Sequence, residues 1–166
     1  MPPTPTAYRP AQIWLHWIVV IGVILQFGFN SAIVAVVDAR EAGQAPAAAD
    51  MTWAWFHVGT GSLILLAVIA RLVLRWRHGV PGHAPGTLPA RARIASVMHN
   101  ALYGLLLALV VTGMLTWNEL LPFGGLHSAL STALFFATLA HSLASIFNQF
   151  GRKDGTLARM VPALRK

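Results

Sequence analysis

Between Ile13 and Val37 the chain runs for 25 residues without one Asp, Glu, Lys or Arg. A helix of about 20 apolar residues crosses a ~30 Å hydrocarbon core, so this stretch can span a membrane. The pattern recurs from Met51 to Ala70, running on through Arg71 to Leu74, then from Ile94 to Trp117 and from Leu120 to Gly151. The expected fold is all-α, a four-helix transmembrane bundle forming one domain over residues 1–166, with spans near 13–37, 51–74, 94–118 and 123–149. The first span exceeds the roughly 7 to 15 residue apolar region of a cleaved signal sequence and is expected to be retained. Composition points the same way. A chain that is 56% hydrophobic and 10% charged falls well short of the about 25% charge a water-soluble domain carries.

Charge is distributed by side. Arg9 precedes the first span, Arg71, Arg75, Arg77, Arg91 and Arg93 surround the connection between the second and third, and Arg152, Lys153, Arg159, Arg165 and Lys166 follow the fourth. Only Arg40 falls on the other side, with Asp38, Glu41, Asp50 and Glu119. By the positive-inside rule both termini and the arginine-rich loop are expected to be cytoplasmic, in a multi-pass protein of a bacterial inner membrane. The net charge of +7 therefore reports topology, and membrane lipid rather than nucleic acid is the expected surrounding.

Five of the seven histidines, His16, His57, His99, His127 and His141, lie in or just inside the spans. Ionisable residues at membrane depth mark functional positions, although a single one can equally be an interhelical hydrogen bond. His127 and His141 are 14 residues apart, about four helical turns, so they share one face about 21 Å apart. Depth sorts the rest: His57 is outer, like His127, whereas His16 and His99 are inner, like His141. Helix geometry leaves His16 and His99 equally available to His141.

Facing neutral imidazoles in an apolar bundle suit the two axial positions of a haem, whose macrocycle buries against aliphatic side chains. Zinc would normally add cysteine or carboxylate ligands, and hard cations need oxygen donors that these spans lack. With no cysteine in the chain, covalent attachment is excluded, and two noncovalent b haems, one above the other, are expected. Arg71 follows His57 by 14 residues and reaches the inner depth, where it can pair with a haem propionate or simply mark the membrane boundary. Gly22 and Gly28 in the first span, Gly59 and Gly61 in the second, and Gly104 and Gly113 in the third give room for a macrocycle or for close helix contact.

The start Ile13-Trp14-Leu15-His16-Trp17, His57-x-x-x-Gly61 with Arg71 and Arg75, and His99-x-x-x-Tyr103 with Gly113 carry a further signal. So do the His127/His141 interval and the tail from Arg152 to Pro162. Together they resemble the prokaryotic cytochrome b-561 family, dihaem membrane proteins related to the cytochrome b subunits of hydrogenases and formate dehydrogenases. The resemblance implies that His16 and His141 ligate the inner iron and His57 and His127 the outer one. It implies that His99 lies beside a haem or at a quinone site.

It further implies one-electron transfer between an outer-face donor, superoxide in some members, and a membrane quinone. The alternative is an anchor subunit relaying electrons from a docked dehydrogenase to quinone, and a more distant rival is a metal transporter using the histidines as relay ligands. The acidic outer loops, with Arg40 as their one cation, oppose electrostatic steering of an anion. Quinone reduction also takes up protons, and His99, Tyr103 and the loop arginines are the candidates. An imidazole suits that exchange because it ordinarily titrates near pH ~6.5.

Overall fold

The computed structural model describes residues 5–84 and 86–164. Arg165 and Lys166, counted above with the basic tail, lie outside the described residues. Five α-helices follow one another: α1 (Pro10–Gly28), α2 (Ser31–Glu41), α3 (Ala48–His78), α4 (Pro89–Trp117) and α5 (Gly124–Phe150). Two short 3₁₀ turns, Leu157–Arg159 and Pro162–Leu164, close the described residues. Four of the helices, α1, α3, α4 and α5, are long and apolar enough to cross a membrane. The bundle is all-helical, as its uncharged stretches require.

The first span differs from expectation. It stops at Gly28, and residues 31–37 belong to a separate helix. Nineteen residues at 1.5 Å rise already cover ~28 Å, so α1 completes the crossing before the uncharged run ends. At the break Phe29 leaves helical geometry (φ −126°, ψ 40°) and stacks on Trp53 of α3, ring centroids 5.3 Å apart. Beyond it α2 folds onto α3, burying Val36 completely and Ala32 almost so. The second span extends past both predicted limits and the third past its first, whereas the fourth lies within one residue of its own. Absence of charge marks the lipid-facing part of a helix, whereas backbone hydrogen bonding continues through Arg75 and Arg77 in α3 and begins at Pro89, ahead of Arg91 and Arg93, in α4.

α1 packs on α3, α3 on α4 and α4 on α5, so spanning helices that follow one another in the chain are neighbours in the bundle. The core draws on every spanning helix, with Val23 from α1, Ile64 and Val68 from α3, Leu109 from α4 and Leu134 from α5. Gly22 serves a close helix contact: a Cβ there would stand 2.7 Å from Ile64. Outward, Ile24, Leu66, Ile94 and Phe136 are more than half exposed, a surface that in water would be unsatisfied and in lipid is matched.

The two ends are tied differently. At the acidic end, Arg40 of α2 lies over the Trp117 ring at 4.5 Å, donates to the Trp117 carbonyl at 3.3 Å and pairs with Glu119 at 3.6 Å. At the basic end the tail folds back. Trp17 Nε1 donates to the Met160 carbonyl at 2.8 Å, Gln149 Oε1 accepts from the Ala158 N–H at 3.1 Å, and Arg159 donates to the Gly82 carbonyl at 2.6 Å.

Candidate functional site

The antiparallel arrangement brings the five histidines into two groups at different heights. Toward the acidic end, His57 of α3 and His127 of α5 face each other with ring centroids 6.4 Å apart and planes at 62°. Toward the basic end, His99 of α4 and His141 of α5 stand 5.1 Å apart, edge to face. His16 of α1 lies within electrostatic reach of His141, His99 and Arg71. The fold brings His57 next to His127. At the basic end all three expected imidazoles gather.

His127 is held from behind. Its Nδ1 lies 3.0 Å from the Leu109 carbonyl and 3.2 Å from Thr112 Oγ1, both on α4. A carbonyl can only accept, so Nδ1 carries the proton and Nε2 keeps its lone pair, the form in which imidazole binds a metal. This approach depends on Gly113, where a Cβ would come 3.0 Å from His127 Cε1. His57 is unlike its partner. Its Nδ1 is buried and meets no hydrogen-bond partner among the described residues. A buried polar atom left that way costs ~1–3 kcal/mol.

The basic-end group sits in a frame of polar contacts. Arg71 donates from Nη1 to the Gln12 carbonyl at 2.9 Å. The buried Gln12 side chain donates to the Gly79 carbonyl at 3.1 Å and accepts from the Arg9 N–H at 3.0 Å, locking the start of α1 to the end of α3. His99 Nδ1 is 2.7 Å from the Ala95 carbonyl, which again assigns the proton to Nδ1. Tyr8, just ahead of α1, lies close to Arg159, Arg75 and Arg71. Burial pushes its phenol above the ordinary range, and the guanidiniums oppose the rise.

The residues present fit a haem. His57 and His127 face each other across an apolar interface with ring centroids 6.4 Å apart, so between them they would supply the two imidazole nitrogens a haem iron takes from a protein. Among the described residues no group of three or more histidine, aspartate or glutamate side chains converges as a bare metal ion would need. A macrocycle supplies its own four equatorial nitrogens and asks the protein for two. Sequence reasoning missed Thr112, Gln12 and Tyr8. An ordinary polar residue acquires meaning only from its neighbour across the helix interface.

Comparison with known proteins places the chain among membrane cytochromes. A model of the prokaryotic cytochrome b561 family matches residues 7–163. Cytochrome b562 of Cereibacter sphaeroides is 28% identical over 155 residues, covering 93% of this chain and 94% of that protein. A probable superoxide oxidase CybB of Yersinia pestis is 24% identical, covering 95% and 97% respectively. Cytochrome b561 homolog 1 of Escherichia coli K12 is also 24% identical, covering 93% and 97%.

Proposed function

The chain belongs to the prokaryotic cytochrome b561 family, membrane proteins that carry electrons on haem b, and on that premise we propose a two-haem conductor from the acidic to the basic face. One haem is held by His57 and His127 and the other by His16 and His141, both noncovalently. Electrons enter from a donor at the acidic, outer face and leave to a membrane quinone. The protein sits in a bacterial inner membrane with both termini cytoplasmic. The 6.4 Å spacing of His57 and His127 carries this reading.

His16 is taken as the partner of His141, as the family resemblance implies; His99 packs edge to face against His141 at 5.1 Å. When bound, haem iron accepts and releases one electron at a time. The chain's own residues supply the rest. His127, its proton held at Nδ1, presents Nε2 in a fixed direction. Arg71, anchored by the Gln12 carbonyl, keeps a positive charge at the inner depth, where it can pair with a propionate carboxylate. The buried aliphatic cluster of Val23, Ile64, Val68, Leu109 and Leu134 excludes water from the bundle interior. At the basic face His99 and Tyr8 stand where quinone reduction takes up protons.

A docked protein donor is favoured by one observation. Arg40, the single cation of the outer loops, is paired with Glu119 and capped by Trp117, which leaves little positive potential to draw in a free anion. The superoxide oxidase likeness favours the opposite donor. Haem content and redox titration of the purified protein, followed by mixing with superoxide and with quinone, test the whole reading. Two haems per chain and two one-electron steps are expected, and a single haem or none refutes it. Direct oxidation of superoxide by the chain alone decides against the docked donor.

A further inference from the structure

Thr112 is 6% exposed and, with Gln12, one of two buried polar side chains among the described residues. A hydroxyl has one proton to give, and this one is directed back along its own helix, to the Ala108 carbonyl at 2.8 Å and the Leu109 carbonyl at 3.1 Å. Its lone pairs are therefore left for the neighbour across the interface, His127 Nδ1, at 3.2 Å. The same N–H reaches the Leu109 carbonyl at 3.0 Å. Two acceptors one helical turn apart thus share a single imidazole proton, and Gly113 removes the side chain that would push the ring away.

His57 has no such support, since its Nδ1 is buried without a partner among the described residues. The two outer imidazoles are therefore unequal. We infer that Thr112 is a positioning residue for His127, its hydroxyl and the Leu109 carbonyl together holding the Nδ1 proton and so setting the ring's orientation and its strength as an electron donor. An imidazole whose N–H is hydrogen-bonded is the more basic ligand, which stabilises the oxidised iron. His127 is the anchored side of the outer site and His57 the unsupported side. The inference rests on the proposal that these two histidines hold a haem.

Redox titration of the haem-loaded Thr112→Val and Thr112→Ser variants tests it. Valine removes the acceptor, and the outer step is expected to move to higher potential while the inner step stays. The ferrous-to-ferric ratio of the outer haem at the wild-type midpoint then rises by up to about tenfold, the size of one hydrogen bond. Tenfold corresponds to ~59 mV for one electron. Serine keeps the hydroxyl and is expected to restore the wild-type step. A valine variant without a shift, a serine variant shifted as far as valine, or equal movement of both steps overturns the inference.

Where valine prevents assembly, wild type and the serine variant labelled with ¹⁵N-histidine supply the second measurement. Reduced, low-spin protein is expected to show a slowly exchanging Nδ1 proton on His127, and its absence overturns the assignment. A purified chain that takes up no haem refutes the proposed function instead. The same spectrum then still reports whether His127 Nδ1 carries the proton and whether serine preserves it.

Discussion

Gly113 and His127 are fitted to one another: a Cβ on residue 113 would stand 3.0 Å from Cε1 and 3.2 Å from Nδ1 of the imidazole. That separation is tighter than ordinary van der Waals contact, and the ring is also pinned by hydrogen bonds to α4, so it has little freedom to give way. The glycine is what allows α5 to seat its histidine against α4.

Gly113→Val is therefore expected to displace the His127 ring and empty the outer haem site while the inner one fills normally. Overpacking of this kind costs about 1–3 kcal/mol. Haem content, with the number of steps in a redox titration, checks it, and full occupancy of both sites would show that the ring has another place to go.

Removal of individual imidazoles separates the two heights. His141→Ala and His16→Ala are expected to lose the inner haem and keep the outer. His127→Ala is expected to do the reverse, and His99→Ala to retain both. Pyridine haemochrome assays read the count directly. Loss of the inner haem from the His99 variant, with retention in the His16 variant, would exchange the roles of those two residues.

Arg71 brings positive charge to the inner group and is held by the Gln12 carbonyl. Arg71→Gln removes that charge, so adding an electron nearby becomes less favourable and the inner midpoint is expected to fall. A charge at this range acts with an effect on the order of 1 kcal/mol. Potentiometric titration showing an unchanged inner step would place the guanidinium at the membrane boundary instead.

Glu119 offsets Arg40, the one cation of the acidic-end loops, at 3.6 Å. Freeing that cation with Glu119→Gln is expected to speed reaction with an anionic outer donor about two- to threefold at low ionic strength. The gain should vanish in high salt, because exposed charges are screened. Stopped-flow traces with superoxide at two salt concentrations measure it, and a slower reaction in the variant would reverse the sign of the argument.

Trp17→Phe deletes the donor that ties α1 to the Met160 carbonyl. The tail from 156 to 164 is expected to loosen by about 0.5–1.5 kcal/mol, the worth of one hydrogen bond, without loss of either haem. Hydrogen exchange over those residues, faster by up to about tenfold, is the measurement.

Much of this molecule could be read from its order of residues. Four uncharged runs demanded four lipid-crossing helices, because a backbone in hydrocarbon must satisfy its own hydrogen bonds. The His127/His141 interval carried the two-height arrangement, since helical period and rise convert 14 positions into one face and a known separation. The break at Gly28 was not legible in the same way. Residues 31–37 are as uncharged as those before them, and what turns the chain is a stack between Phe29 and the distant Trp53.

Spacing alone determined which imidazoles share a height, because that depends only on distance along a helix and the direction in which the helix runs. Which nitrogen of His127 holds the proton, and that His99 packs beside His141, was decided by how α4 and α5 are rotated against each other. That rotation follows from Leu109 and Leu134 meeting across the interface and from the space left at Gly113. Contacts of that kind exist only once the chain has folded back on itself.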